Sequence, residues 1–136
     1  EIVSRDWSSD VCSSDLGAGG CLGAISRYAA GRGIGAIATT AFPAGTFVIN
    51  IAGSFLLGVL GVWVARHTPS ASESLRLALG VGFLGAFTTF SSFEFETNAL
   101  IVGGAWVTAT LYVGASVALG LAAVRLGIQL ATAWLG

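Results

Sequence analysis

Charge is scarce in this chain of 136 residues, and methionine and lysine are missing altogether. Only 10% of residues are Asp, Glu, Lys or Arg, against roughly 25% in an ordinary soluble domain. A chain of this length forms one domain and exposes much surface for its volume. So few charges could not solvate that surface in water, which makes lipid the natural solvent. The six basic residues are all arginine and they do not cluster, so nucleic acid is excluded as a partner. Two cysteines, Cys12 and Cys21, are too few for a disulfide framework or a zinc site. The one histidine, His67, has no neighbouring acid or cysteine ligands. No nucleophile–base pair, phosphate loop or metal-ligand cluster occurs, so the chain is not expected to be an enzyme.

What is abundant is apolar and small. Hydrophobic residues make up 54% of the chain, glycine occurs 20 times, and the mean hydropathy is +0.84. Glu1 to Asp15 is the exception, with five serines, three aspartates, one arginine and one glutamate. It lacks the basic start and apolar core of a signal peptide. Together with the missing methionine, this composition reads as a non-native leader, residues 1–15, ahead of a membrane domain over 16–136.

Four spans are expected within that domain, giving an all-α architecture. A full span needs about 20 mostly apolar residues. The first, from Leu16, is weak because Arg27 and Arg32 interrupt it. Arg27 is expected near a helix end, since a charge inside the membrane must snorkel or pair. The second, Phe42 to Ala65, carries no charge, and Pro43 sits near its start, where a missing N–H costs little. The third runs from about Leu75 to Phe93 and is poor helix material around Gly80, Gly82 and Gly85. A break is expected between Gly85 and Thr89, lining something polar, because only protein or a water-filled cavity satisfies freed backbone at membrane depth. The fourth is expected within Thr97 to Val124 and closed by Arg125. Glu96 is expected near a span end, and Glu94 in solvent. Small residues recur at packing intervals: Gly19 with Gly23, Ser54 with Gly58, Ala78 with Gly82 and Ala86, Ser116 with Gly120. The arginines differ by about one between the two sides, a feeble orientation signal that is compatible with insertion both ways.

The polar residues inside these spans carry the chemistry. Asn50 lies mid-span, where it serves either as an interhelical hydrogen-bonding residue or as an N–H donor to an anion. Ser54 is one turn on. Thr88, Thr89, Ser91 and Ser92 enclose Phe90, and Phe93 follows at helical spacing. Aromatic ring edges are electropositive. A small hard anion could pass along them beside hydroxyl donors without a cation that holds it too tightly. The plainer reading is lipid-facing rings with back-bonded hydroxyls. Tyr112, Ser116 and Gly120 form a stripe on the fourth span, for the same path or for helix packing.

Three segments then resemble the CrcB/Fluc family of fluoride channels. Gly19 to Tyr28 is similar to its G-G-x-x-G-A-x-x-R-Y signature, and Pro43 to Phe55 to its P-x-G-T-x-x-x-N-x-x-G-S-F pattern. Gly82 to Phe93, with Glu96, is similar to its broken third helix. Together they cover roughly Gly17 to Val124. The resemblance implies an antiparallel, dual-topology homodimer in the cell membrane with two pores that let fluoride leave the cytoplasm passively. It implies that Asn50, Phe90, Phe93, Thr89, Ser91, Ser92, Tyr112 and Ser116 line each pore. It further implies a structural Na+ at the dimer centre on the carbonyls of Gly85 and Thr88. Gly120 departs, since a hydroxyl is common there. The leader is the largest departure. A small dual-topology multidrug-type transporter is the alternative, and it would need a buried carboxylate for coupling. A membrane scaffold without transport is a third class.

Overall fold

The computed structural model describes residues 13–38, 41–67 and 75–135. Residues 1–12 of the expected leader lie outside the described residues, while Ser13, Ser14 and Asp15 open the first helix. The regular elements among the described residues are all helices: α1 (Ser13–Ile37), α2 (Ala44–His67), α3 (Arg76–Leu84), α4 (Gly85–Phe87), α5 (Phe90–Val102) and α6 (Trp106–Leu135). Three stretches, Ala44–Arg66, Arg76–Val102 and Trp106–Leu135, are long and apolar enough to cross a membrane. α1 is long enough, but its arginines and Asp15 keep it below that standard of hydropathy, as the sequence leads one to expect.

Pro43 starts α2. Its carbonyl accepts the first helical bond from the Phe47 N–H (3.1 Å), while its own missing donor falls where no helical bond is due. α3 is wound more widely than an α-helix. The N–H of Gly85 reaches the carbonyl of Gly80, five residues back, as well as that of Gly82. Such winding is rare, occurs mostly as single turns inside α-helices, and is frequent at functional sites.

The chain turns between α5 and α6 at Gly103 and Gly104, which corrects two expected boundaries. Ala105 N–H bonds to the Leu100 carbonyl (2.8 Å) and Gly104 N–H to that of Ile101 (3.0 Å), and Gly104 takes φ 77°. This left-handed cap satisfies the last carbonyls of α5. Thr97 to Val102 therefore completes the third span rather than opening the fourth. The fourth span, α6, runs past Arg125 to Leu135. An apolar sequence with strong helix formers continues there, and a single arginine does not end it.

Packing follows the small residues. α1 lies along α3 and α4, and α2 along α6. A Cβ built at Gly19 would strike the Ala78 carbonyl, one at Gly23 the Phe83 carbonyl, and one at Gly82 would stand 2.8 Å from the Leu16 carbonyl. Backbones this close admit no side chain, which is how helices gain contact in lipid. Gly58 against Val124 and Gly127 against Phe55 repeat the device between α2 and α6. Arg27 is not near a helix end. It lies between Gly23, level with Phe83, and Gly31, level with Gly45, so it sits within the span and is half-buried.

The core is thin. Ile49, Leu84, Ala109, Tyr112, Ala123 and Ala131 are the buried apolar residues described, whereas Leu22, Ile25, Val107 and Leu121 are each at least 60% exposed. Such an exterior suits lipid and would be untenable in water.

The turn gives a direct check. Gly104→Ala forces a Cβ into the left-handed region and is expected to cost about 1–2 kcal/mol. Gly114→Ala, with open space around its Cβ, is expected to stabilise α6 by up to ~1 kcal/mol. Thermal aggregation of the purified protein in detergent reads both, and equal midpoints for the two variants would contradict the turn.

Candidate functional site

The site is built where the third span stops being helical. Thr88 (φ −81°, ψ 159°) and Thr89 (φ −150°, ψ 116°) are extended between α4 and α5. Asn50 of α2 closes on this link with both ends of its amide. Its Nδ2 donates to the Thr89 carbonyl (3.0 Å), and its Oδ1 accepts from the Thr89 N–H (2.8 Å). Asn50 is thus an interhelical hydrogen-bonding residue, and its second Nδ2 hydrogen is not needed for that pair.

Thr89 in turn starts α5. Its Oγ1 accepts from the Ser92 N–H (3.3 Å) as an N-cap and donates to Ser92 Oγ (3.0 Å), with Ser91 Oγ 3.4 Å away. Thr88 Oγ1 bonds back to the Leu84 carbonyl (3.0 Å). Two backbone amides are therefore diverted. Thr89 N–H would close a helical bond onto the Gly85 carbonyl and goes to Asn50 instead. Ser92 N–H would close one onto the Thr88 carbonyl and goes to the Thr89 hydroxyl. The carbonyls of Gly85 and Thr88 are thereby released from helical bonding, and released carbonyl oxygens are the ligands a hard cation takes. Among the described residues no three His, Cys, Asp or Glu side chains gather for a metal, so a cation here would rest on the backbone.

α2 and α6 run parallel in one register. Thr46 and Tyr112 share Glu96, and Ser54 faces Gly120, whose built Cβ stands 3.7 Å from Ser54 Oγ. By the same register, Asn50 and Ser116 fall at the intermediate level. The two polar stripes that the sequence suggests on separate helices thus form one ladder, with rungs about 6 Å apart at 1.5 Å per residue. Ser116 Oγ is buried and has no hydrogen-bond partner among the described residues. Gly120 leaves its rung to Ser54 alone.

The lowest rung is the feature that sequence reasoning missed. Glu96 is expected near a span end, but it lies midway along α5, with both carboxylate oxygens engaged. Thr46 Oγ1 donates to Oε1 (2.8 Å) and Tyr112 OH to Oε2 (2.8 Å). Tyr112 has no solvent-exposed surface, and Thr46 is 9% exposed. Around Tyr112 stand Phe42 (centroids 5.4 Å, near-perpendicular), Phe47 (6.4 Å) and Phe93 (5.1 Å). The available signal was the helical spacing of Phe93 and Glu96, which puts ring and carboxylate near one face. Glu94, expected in solvent, is exposed on the helix surface within the span.

Phe90 and Phe93 meet with centroids 5.8 Å apart and planes 37° apart. Phe93 is half-buried, and Phe90 is 71% exposed. Asn50, Ser54, Thr88, Thr89 and Phe90 border an open cavity of about 290 Å³. The arrangement offers hydroxyl and amide donors beside aromatic rings with no ammonium or guanidinium on the ladder.

Asn50→Leu is expected to leave the Thr89 N–H and carbonyl without partners. At ~1–3 kcal/mol for each unsatisfied buried group, the protein should lose about 2–6 kcal/mol. A thermal midpoint equal to that of the unaltered protein would contradict this account of the link.

The geometry can be set beside known proteins. A family model described as CrcB-like protein, Camphor Resistance (CrcB), matches residues 16–128. A protein of Novosphingobium aromaticivorans named fluoride-specific ion channel FluC is 49% identical over 114 residues, covering 82% of this chain and 89% of the relative. One of the same name from Acidobacterium capsulatum is 47% identical over 110 residues (81% and 87%). Another from Geobacter sulfurreducens is 45% identical over 112 residues (82% and 90%).

Proposed function

The chain belongs to the CrcB family, and on that premise we propose that it is a fluoride-selective channel of the membrane. Hydrofluoric acid enters a cell uncharged and dissociates there. The channel lets the anion leave down its gradient, helped by an inside-negative potential. The observation that carries this reading is the extended Thr88–Thr89 link pinned by Asn50. It interrupts the third span beside a ladder of hydroxyls and two aromatic rings. Asn50, Thr89, Ser91, Ser92, Tyr112 and Ser116 supply hydrogen-bonding groups along the path, and Phe90 and Phe93 supply ring edges.

The working unit is an antiparallel homodimer with a broken third helix at its centre. The open cavity beside Asn50 and Thr88, with Phe90 at its edge, supports this. Its lining carries the Asn50, Ser54, Thr88 and Thr89 polar groups, which are unfavourable facing hydrocarbon, and a second copy would cover them. At the centre, Na+ would be held by the Gly85 and Thr88 carbonyls. Its charge would offset the carbonyl dipoles of two broken helices. Exchanging sodium for a bulky organic cation is then expected to loosen the dimer, read as a rise in monomer by chemical cross-linking; an unchanged dimer removes the cation from the account.

Glu96 supports a second reading, because an exporter coupled to protons needs a carboxylate inside the span. Both of its oxygens accept hydroxyl bonds, however, and the relatives' names favour the channel. Proton-dependent uptake of an organic cation into liposomes would restore the exporter.

The deciding experiment is fluoride efflux from liposomes, followed by electrode beside a chloride control. Fluoride release without chloride release is expected. Phe90→Ile and Phe93→Ile should each slow it about tenfold, the change that ~1.4 kcal/mol of added barrier produces, while the dimer persists. Unaltered flux in both variants would remove the ring edges from the mechanism, and no flux from a folded dimer would remove fluoride.

A further inference from the structure

A second groove begins one turn beyond the Ser54 rung and runs between the C-terminal halves of α2 and α6. It encloses about 340 Å³ and is bordered by Gly58, Gly61, Val62, Ile128 and Thr132, with Arg66 at one end. That volume falls in the range of small-molecule sites. Its floor is apolar, and a Cβ built at Gly61 meets nothing within 4 Å.

The depth of the groove follows from α6. From Trp106, 62% exposed, to Trp134, 90% exposed, the helix rises about 42 Å, the thickness of a bilayer with its headgroup layers. Exposed tryptophans prefer those layers. The parallel register sets Arg66 opposite Thr132, beside Trp134, at headgroup level. Arg125 lies on the face of α6 that carries Ile128 and Thr132, about 10 Å deeper. It is exposed, and among the described residues neither it nor Arg66 has an ion-pair partner. A guanidinium at that depth is costly unless it snorkels toward an anion. Neither α2 nor α6 contains an acidic residue.

We infer that this groove is a binding site for one anionic phospholipid. An acyl chain lies along Gly58, Gly61 and Ile128, and the phosphate is held between Arg66 and the snorkelling Arg125. An apolar trough with Arg66 at its headgroup end, and with Arg125 deeper on the same face and able to snorkel toward that end, matches that molecule in both shape and charge. The inference does not depend on which ion the protein conducts.

The test is native mass spectrometry of the full-length protein released from bilayers of equal phosphatidylglycerol and phosphatidylethanolamine. The unaltered protein is expected to retain phosphatidylglycerol in several-fold excess. Arg66→Gln and Arg125→Gln should each cut that excess about fivefold, Arg66→Lys and Arg125→Lys should restore most of it, and Gly61→Leu should reduce lipid retention by filling the trough. Equal retention of both lipids by the unaltered protein would overturn the site, as would an excess that survives the double glutamine variant. If Gly61→Leu dissociates the dimer and leaves lipid retention unchanged, the groove holds a second copy and the inference fails.

Discussion

One side chain makes the rest of the site possible. An extended link inside a membrane span exposes backbone donors and acceptors where no water can satisfy them. Asn50 meets that need with a reciprocal pair of bonds to Thr89. Few side chains combine a donor and an acceptor at the same reach, as a carboxamide does. Once Thr89 is fixed, its hydroxyl caps α5, α5 starts at Phe90, and the two aromatic rings take their positions. The released carbonyls of Gly85 and Thr88 follow from the same diversion of amides. The course of the third span and the release of the two carbonyls therefore depend on one interhelical contact.

That contact requires α2 to stand close to the third span, and glycine brings the helices together. Where α1 meets α3 and where α2 meets α6, backbone faces backbone with no room for a Cβ. Gly53 does the same beside Asn50, since a Cβ there would strike the Thr88 methyl. Without a hydrophobic drive between helices in lipid, such close approach is the main source of attraction. The outcome is a thin core of small residues with the aliphatic side chains turned outward.

The ladder between α2 and α6 gives the site its direction. Hydroxyl and amide groups recur at each turn from Thr46 and Tyr112 to Ser54, at levels about 6 Å apart. Glu96 sets the polarity of the lowest rung. Its carboxylate orients the hydroxyl hydrogens of Thr46 and Tyr112 toward itself, and the cage of Phe42, Phe47 and Phe93 fixes the tyrosine.

The sequence by itself determined the solvent, the helical class and the identities of the polar residues. Charge-free runs around Asn50 and Tyr112 need lipid, and the Thr88–Ser92 run marks where regular helix is unfavourable. These are local properties of composition and spacing. Boundaries were less legible: the third span was expected to stop at Phe93, but the pair of bonds across Gly103 and Gly104 moves its end to Val102, because a cap depends on backbone dihedrals and not on hydropathy. Only the tertiary structure decided that Asn50 spends its amide on Thr89, that the stripes of α2 and α6 stand rung against rung, and that Glu96 lies inside the span between Thr46 and Tyr112. Each of these joins residues 16 to 50 or more positions apart, through the parallel packing of α2 on α6 and the close approach that glycine permits. Spacing along one helix specifies which residues share a face, but the partner of that face and its register are set by contact between helices.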